Sequence, residues 1–321
     1  MIEPAPRAHA PLPPIVQPRF AELSVDQAMA TLAGLGDLWQ PDAAWRSGEH
    51  EDNKGGIRYR AGKDVLYGIV DVGEASFGPG ALPLQRATED AYRRIFALID
   101  CEGFPYVWRT WNYLARINAV EDNLERYRQF DIGRHDAFVA SQRLARGNVP
   151  AACALGTPGT MGGPLTVAFM AGRAKAVAIE NPRQISAYEY PTIYGPRSPT
   201  FSRAVFAHLP GRELLFISGT ASILGQRTVH LDDIEGQTRE TVTNVGAVLR
   251  SANDQASAAP YALSELRYRA YIRHAADYPA VRAVLEESLG PDVPVAYVHA
   301  DICRADLLVE IEATGAHLLD T

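Results

Sequence analysis

The chain has 321 residues, of which 47% are hydrophobic and 21% are charged, a composition typical of a globular protein with a sizeable core. Its formal net charge of −7 argues against nucleic acid or an anionic membrane as the main partner. Only Lys54, Lys63 and Lys175 of the 31 basic residues are lysines, so the other 28 are arginines. Because the guanidinium group is a planar fork that suits carboxylates, a few arginines gathered in one place would bind an anionic small molecule.

The cysteines and histidines indicate neither a disulfide framework nor a metal site. Cys101, Cys153 and Cys303 are widely spaced, and the eight histidines form no HExxH or His-x-His pattern. We therefore expect no metal. We also expect no cofactor, since "GTPGTMGG" lacks the Lys-Ser/Thr that a nucleotide-binding phosphate loop needs. The Pro-rich start of the chain lacks a basic-then-apolar signal segment, which predicts a cytoplasmic location. The uncharged stretch 147–172 is interrupted by Gly and Pro, so it predicts two apolar strands and no membrane span.

In chain order, residues 1–54 are predicted to form a small N-terminal unit with a helix over 24–36 and a polar loop over 46–56. A first α+β unit follows, and its predicted elements are strand 65–72, helix 88–103, strand 106–117, helical segment 123–140, and strands 150–155 and 164–171. Segment 181–203 is dense in Tyr, Pro and Arg. It is interpreted either as an ordered linker or as the wall of a site.

A second unit repeats this order after a spacing of about 130 residues. Its predicted elements are strand 214–222, helix 234–252, strand 265–273, helix 278–290, and strands 293–300 and 305–313. The repetition predicts two copies of one α+β domain, a central domain over 55–190 and a C-terminal domain over 191–321. In the repeat register Ala168 falls where Glu310 stands, so the scaffold does not require an acid at that position.

The last predicted strand carries two acids, Glu310 and Glu312, within an otherwise apolar run. Since side chains alternate along a strand, both carboxylates are expected on the same face. The presence of both acids would be explained if this were the solvent-facing side of an amphipathic strand. The alanine at the equivalent place in the first unit favours a special role for Glu310.

Several motifs resemble known families. The second unit resembles RidA/YjgF proteins in "FISGTAS", in the "QTRETVTNVGAVL" helix and in the closing "VEIEA". From about residue 60 to the end the chain resembles the chorismatases, in "WRTWNYLARIN", "RYRQFDIGRHDAF", "YEYPTIYGPRSPTFSRA", "SGTAS" and "DICRADLLVEIE". The resemblance implies an α+β fold with tandem RidA/YjgF-like (chorismate mutase-like) domains in a pseudo-threefold arrangement. It also implies an enzyme that splits chorismate into pyruvate and a benzoate or dihydrobenzoate without a cofactor.

The resemblance implies an active site between the central and C-terminal domains, with Glu310 as the proton donor. Arg134 and Arg203 lie in the matched motifs and are the expected ligands of the two substrate carboxylates, with Tyr127 and Tyr190 as hydroxyl donors beside them. Protonation of the enol ether of chorismate needs an acid that still holds its proton. An ordinary glutamate, with a pKa of about 4.3, does not do so at neutral pH.

Burial by Leu308, Val309 and Ile311, or the charge of the dianionic substrate, is expected to raise the pKa of Glu310. Like-charge repulsion from Glu312 would add to this rise if that residue points into the same cleft; otherwise Glu312 is expected to be a solvent-facing or supporting residue.

Two residues bear on the product. In the family a cysteine at the place of Cys303 accompanies release of a hydroxybenzoate, so the resemblance implies 3-hydroxybenzoate, with 4-hydroxybenzoate as a second product. Ala221 is a less clear guide, because hydroxybenzoate formers often carry a smaller residue near that place. Arg109 and Arg116 are a second tier of candidate substrate ligands.

Three alternatives stay open at this point. A chorismatase could release the dihydroxycyclohexadienoate instead of an aromatic acid. A RidA-type enamine or imine deaminase is the second, although "VPVAYVHAD" lacks the arginine that such enzymes carry on the penultimate strand. A non-catalytic small-molecule binding protein is the third. In each case the expected partner is a small molecule, with the chain as a monomer or weak oligomer.

Overall fold

The computed structural model describes residues 46–50, 56–78, 82–144, 149–157, 163–257 and 259–319. Within these ranges the α-helices are α1 (Pro83–Cys101), α2 (Arg126–Ala140), α3 (Ile234–Asn253) and α4 (Tyr278–Leu289). The strands are β1 (Arg46–His50), β2 (Ile57–Ala61), β3 (Val65–Val72), β4 (Tyr106–Ala115), β5 (Val120–Glu121), β6 (Leu124–Glu125), β7 (Ala151–Thr157), β8 (Leu165–Gly172), β9 (Val177–Ile179), β10 (Ala204–Leu209), β11 (Arg212–Ala221), β12 (Ile223–Leu224), β13 (Arg227–Thr228), β14 (Arg267–Ile272), β15 (Val295–His299), β16 (Asp301–Ile302) and β17 (Val309–Leu318).

The first large sheet has the strand order β1-β2-β3-β8-β4-β7-β16. Helix α1 connects β3 to β4, and α2 leads from β4 towards β7, which pairs with β4 in parallel. Strand β8 then returns antiparallel between β3 and β4. All of its residues are buried, which explains why this strand is an uninterrupted apolar run instead of an alternating one.

The second sheet has the order β15-β14-β17-β11-β10-β9 and repeats the same path. Helix α3 connects β11 to β14, α4 connects β14 to the parallel strand β15, and β17 returns antiparallel between β11 and β14. The chain therefore contains tandem α+β units of one topology, which confirms the fold class. The strand register matches the predicted repeat, because Ala168 pairs with Trp111 on β4 as Glu310 pairs with Tyr271 on β14.

The two sheets pack face to face across one shared core, which includes Trp111, Cys153, Met170 and Phe216. Helices α1 and α2 cover the outer face of the first sheet, and α3 and α4 cover the outer face of the second. Both faces of β17 are consequently covered. Its odd-numbered residues near the start of the strand point to the helices, and its even-numbered ones point to the first unit.

Local signals explain where several helices begin and end. Helix α1 starts at Pro83, earlier than predicted, because proline is well suited to the first helical position. It ends before Gly103, whose φ of 76° lies in the left-handed region that glycine tolerates. At the start of α3 the Asp233 side chain accepts a hydrogen bond of 2.9 Å from the Gly236 amide, which caps the helix.

Some predictions fail or fall outside the described ranges. The polar loop predicted over 46–56 is wrong for residues 46–50, because these form β1 and pair with β2. The helix predicted over 24–36 lies outside the described residues. Several strands were not predicted, namely β2, β5, β6, β9, β10, β12, β13 and β16. The domain boundary between 190 and 191 stays a prediction, as does the pseudo-threefold arrangement, and β9 already pairs with β10 of the second sheet. No helix within the described ranges is long and apolar enough to cross a membrane.

Candidate active site

A cavity of about 620 Å³ lies between the two units, a size that suits a small-molecule ligand. Helix α2 and strand β7 of the first unit form one side, and the end of β11, residues 303–307 and Glu310 form the other. Segment 181–203 contributes a further wall, as the second interpretation of its composition predicted. The cavity brings together the first-choice side chains assigned from the sequence to the acid, the substrate or the product: Tyr127, Arg134, Tyr190, Arg203, Ala221, Cys303 and Glu310.

Glu310 lies on β17 directly opposite Ala221 on β11 and Tyr271 on β14. It lines the cavity, yet the residue is only 4% exposed. The pairing of β11 with β17 is irregular just before this point, and the irregularity places Gly219 against the carboxyl group. A Cβ atom on residue 219 would overlap Oε1 of Glu310, so glycine is the residue that leaves room for the acid.

Burial raises the pKa of Glu310 to about 8, and the charge of Glu312 adds to the rise, while Arg109 and Arg203 oppose it. The carboxyl group therefore holds its proton at neutral pH and can donate it. The source of the burial differs from the one expected. Val309 and Ile311 point away from the acid into the helix-side core, and it is the packing of the first unit on β17 that removes water.

Glu312 lies on the same face of β17 as Glu310, as predicted, but that face is not wet. The residue is 7% exposed and forms an ion pair with Arg109 of β4. Trp111 donates a hydrogen bond of 3.2 Å from Nε1 to Oε1 of Glu312, and Arg269 Nη1 lies 3.4 Å from the same oxygen. Burial by itself would raise the pKa of Glu312, but the two arginines outweigh it and hold the pKa below its usual range. Glu312 is therefore ionised, and it does not line the cavity.

Arg203 precedes β10 and reaches the cavity from the second unit. Its Nη2 atom donates to the Ile185 carbonyl at 2.8 Å and to the Tyr190 hydroxyl at 3.0 Å. Within the described residues its buried Nε has no hydrogen-bond partner. The guanidinium carbon lies 5.2 Å from the centre of the Phe201 ring. Tyr190 thus acts as a direct support for Arg203.

Arg134 enters from α2 on the first-unit side. Its Nη2 atom donates to Asp131 Oδ1 at 2.7 Å, and its buried Nε also has no partner among the described residues. Its guanidinium carbon lies 4.8 Å from the Phe130 ring centre and 5.9 Å from that of Phe201. The Phe201 ring is therefore near both arginines, and each cation retains a buried donor for an anionic group.

Asp131 was not identified from the sequence, although its spacing of three residues from Arg134 on one helix is the signal for such a pair. Burial raises the pKa of Asp131 to about 7, and Arg134 opposes the rise. Gly219 and Phe201 were also missed. Arg304 was missed as well, and its guanidinium carbon lies 4.6 Å from the ring centre of Tyr194 at the cavity wall.

Cys303 and Tyr127 complete the surroundings of the acid. The Cys303 sulfur lies 4.0 Å from Oε2 of Glu310. Enclosure in the cavity raises the pKa of the Cys303 thiol, and Glu310 adds to the rise, so the side chain stays a neutral thiol at pH 7. Enclosure likewise raises the pKa of Tyr127 well above its usual value, with Asp131 adding to the rise, so its hydroxyl keeps a proton to donate.

The second-tier arginines lie elsewhere. Arg109 is paired with Glu312, and Arg116 forms a half-exposed ion pair with Glu121, so neither lines the cavity. In the part of the chain that the structure describes, no cluster of three or more His, Cys, Asp and Glu side chains is placed to hold a metal ion. The arrangement is thus a pocket that contains a protonated glutamic acid, two buried arginines and a thiol.

Most of the chain is similar to known proteins. Residues 37–171 match the model of the N-terminal region of FkbO/Hyg5-like chorismatases. A 3-hydroxybenzoate synthase of Streptomyces hygroscopicus is 36% identical over 314 residues, which cover 93% of this chain and 86% of that protein. A chorismatase of Streptomyces rapamycinicus is 36% identical over 288 residues, covering 87% and 82%. The crystal structure of a chorismatase superposes with a TM-score of 0.75 at 36% identity, covering 84% of this chain and 79% of that one.

Proposed function

This chain belongs to the chorismatase family of chorismate-converting enzymes, and we propose that it splits chorismate into pyruvate and a hydroxybenzoate, chiefly 3-hydroxybenzoate. The observation that carries this proposal is the protonated carboxyl group of Glu310, enclosed in a cavity with two buried arginines and a neutral thiol. The relative named 3-hydroxybenzoate synthase supports the choice of product.

The first step is protonation of the enol ether. Glu310 gives its proton to the terminal methylene carbon of the enolpyruvyl group, which becomes a methyl group while an oxocarbenium ion forms on the adjacent carbon. Carbon protonation is slow in neutral water, so a positioned acid with a pKa near the working pH is the main requirement. General acid catalysis of this kind contributes roughly 10²–10⁴-fold to the rate.

Arg134 and Arg203 are the proposed ligands of the two substrate carboxylates. They come from different units, and each has a buried Nε donor without a partner among the described residues. The Tyr127 and Tyr190 hydroxyls stand beside them. A dianion bound here would satisfy these donors. Its charge would also disfavour ionisation of Glu310, so substrate binding itself would keep the acid protonated.

The choice of product depends on what attacks next. Hydroxybenzoate and pyruvate together contain the atoms of chorismate with no added water, whereas dihydroxycyclohexadienoate and pyruvate contain one water more. An aromatic product therefore requires that the ring releases pyruvate and loses a proton with no net gain of water, which is favoured when the ring hydroxyl reacts internally and bulk water stays out. The Cys303 thiol beside Glu310 occupies space next to the ring without acting as a base, and the 4% exposure of Glu310 is consistent with restricted access of water.

The test is incubation of the full chain with chorismate, followed by an enzymatic assay for pyruvate and chromatography of the acids. We expect one aromatic acid per pyruvate, mainly 3-hydroxybenzoate with 4-hydroxybenzoate as the minor candidate. Dihydroxycyclohexadienoate as the main product would overturn the proposed product and leave the acid step intact. Binding of chorismate without pyruvate release would point to a non-catalytic binding protein. Activity on an enamine but not on chorismate would point to a RidA-type deaminase.

Other expectations accompany this proposal. We propose a small-molecule substrate with no nucleic-acid partner, and a monomer or weak oligomer, because the proposed ligands of the substrate come from one chain. Sedimentation of the protein with and without chorismate would test the oligomeric state.

A further inference from the structure

A buried charge cluster lies behind the acid, outside the cavity. It consists of Glu312 on β17, Arg109 on β4 and Arg269 on β14, and we refer to it as the Glu312 cluster. We propose that Glu312 is a positioning residue that acts through Glu310: held by the two arginines, it fixes the strand face that carries the acid and sets the charge that the acid experiences. This inference rests on the proposed role of Glu310 and deepens it.

The contacts that hold Glu312 come mostly from the other unit. Arg109 forms the ion pair, Trp111 donates to the carboxylate at 3.2 Å, and the Arg109 guanidinium carbon lies 5.0 Å from the Trp111 ring centre. Both partners of the ion pair are removed from water. A buried ion pair of this kind is weak grounds for stability, because well-packed apolar side chains would stabilise the interface at least as well. A role in the neighbouring site explains its presence better.

The contact between Arg269 and Glu312 connects the cluster to the strands that hold the acid. Arg269 pairs with Glu312 across β14 and β17, and the next pair on the same face is Tyr271 with Glu310. Arg269 also donates to the Tyr271 hydroxyl at 3.4 Å. The same two strands therefore hold both carboxyl groups, and a shift of Glu312 would be transmitted to Glu310.

The internal repeat supports a functional pairing of the two acids. In the first unit Arg109 pairs with Met170 and Trp111 with Ala168, at the positions where Arg269 pairs with Glu312 and Tyr271 with Glu310. Both units thus contribute an arginine, but only the second contributes carboxylates. The two related arginines converge on one carboxylate, and that carboxylate is two residues from the acid.

The charges around Glu310 show why Glu312 matters. The charged and titratable groups that bear on Glu310 from its surroundings are Glu312 on β17, Tyr271 on β14, Arg109 on β4, Cys153 on β7, Tyr127 on α2, Arg203 before β10 and Cys303 after β16. After burial, Glu312 contributes most to the raised pKa of Glu310, and Arg109 opposes it. Without Glu312, the Arg109 guanidinium would remain near the acid with no counter-charge from Glu312, and it would favour the ionised form of Glu310.

The decisive experiment compares wild type with Glu312→Gln in the full chain, measuring kcat/KM for chorismate against pH. The acid is active when protonated, so activity is lost as pH rises through its pKa. Removal of the Glu312 charge should lower that pKa and so shift the alkaline limb of the profile to lower pH by about one unit. At pH values above the limb, kcat/KM should be about tenfold lower than in wild type, and at pH values below the limb it should change little. Glu312→Asp keeps the charge and should restore the limb.

Glu213→Gln is a matched control that should leave the limb at the wild-type pH. Glu213 is also fully buried, but it lies on β11 opposite His317, far along β17 from the acid. A limb at the wild-type pH in Glu312→Gln, with the rate scaled equally at all pH values, would overturn the proposal and indicate a structural role. If Glu312→Gln shows no thermal unfolding transition, and so does not fold, Arg109→Gln provides a second test. Loss of that cation should raise the pKa of Glu310 and shift the alkaline limb to higher pH. The absence of such a shift would count against the proposal.

A second measurement separates this inference from the proposed function. Carboxyl-selective NMR titration, with Glu310→Gln to assign the signal, reports the pKa of Glu310 without chorismate. A lower pKa in Glu312→Gln supports the inference whatever the protein does with chorismate. An unchanged pKa overturns the inference even if pyruvate is released.

Discussion

The sulfur of Cys303 lies 4.0 Å from Oε2 of Glu310, so the side chain that bears on the product and the proposed acid share one wall of the cavity. Cys303 comes from the turn before β17 and Glu310 from the second residue of that strand. Because both are on one short stretch of chain, any displacement of the acid also changes the space beside the ring. Rate and product are therefore expected to be linked in variants of this region.

Glu310→Gln is expected to abolish pyruvate release, by at least about 10²-fold, while chorismate still binds. The amide keeps the shape of the side chain but has no acidic proton to give to the methylene carbon. Pyruvate formation and calorimetric binding of chorismate, measured on the same preparation, provide the check. Glu213→Gln makes the same chemical change at a buried position outside the cavity and should keep wild-type turnover. Pyruvate release at a wild-type rate would mean that another group is the acid.

The pH dependence follows from the raised pKa of Glu310, which is about 8 in the folded chain. The protonated form is the active one, so kcat/KM should be constant below pH 8 with respect to this group and fall about tenfold per pH unit above it.

The raised pKa of Glu310 also has a consequence for thermal stability. A raised pKa favours the folded state at low pH, and this contribution is lost as pH rises to about 8, so Glu310→Gln should gain thermal stability over wild type at alkaline pH. Stopped assays and melting curves across pH 5 to 10 test both; an alkaline limb near pH 5 would contradict the assignment.

Arg134→Ala and Arg203→Ala are each expected to raise KM with a smaller effect on kcat, since ground-state contacts with the substrate carboxylates are lost. A charged hydrogen bond is worth about 1.5–3 kcal/mol, which corresponds to roughly a ten- to hundredfold rise in KM. Arg116→Ala is the matched control, because Arg116 pairs with Glu121 outside the cavity. Steady-state kinetics on chorismate give the answer. If both cavity variants keep the wild-type KM, the substrate binds elsewhere.

Cys303→Ala is expected to shift the product from hydroxybenzoate towards dihydroxycyclohexadienoate, while pyruvate release continues. The smaller side chain leaves space beside Glu310 in which a water molecule can compete with the internal hydroxyl. Chromatography of the acids at matched pyruvate yields measures the ratio, and Cys101→Ala, at an exposed cysteine, is the control. An unchanged aromatic product in Cys303→Ala would direct attention to Ala221 on β11, which lies directly opposite Glu310 on β17.

The regular elements and the membership of the site could be predicted to a large extent. The strand pattern of 65–72 and the helical pattern of 234–252 agree with β3 and α3 within one residue, because their hydrophobic periods are strong and their ends carry clear signals. Weak patterns failed: the polar segment at 46–50 forms a strand through pairing with β2, and short β10 lacks a pattern of its own. Asp131 was missed because its spacing of three residues from Arg134 indicates an ion pair but does not show that the pair is buried beside the cavity.

The sequence by itself determined that Glu310 and Glu312 share a face, since residues two apart on a strand always do. It did not determine what covers that face. Arg109 is 203 residues from Glu312 in the chain, and only the packing of the two sheets brings them together. The room that Gly219 leaves for Glu310 likewise depends on strand pairing. A pKa depends on burial and on nearby charge, and both are properties of the three-dimensional surroundings. The local pattern therefore predicts the face of β17 from which each carboxyl group projects, and the tertiary structure decides that Glu310 is protonated and Glu312 is ionised.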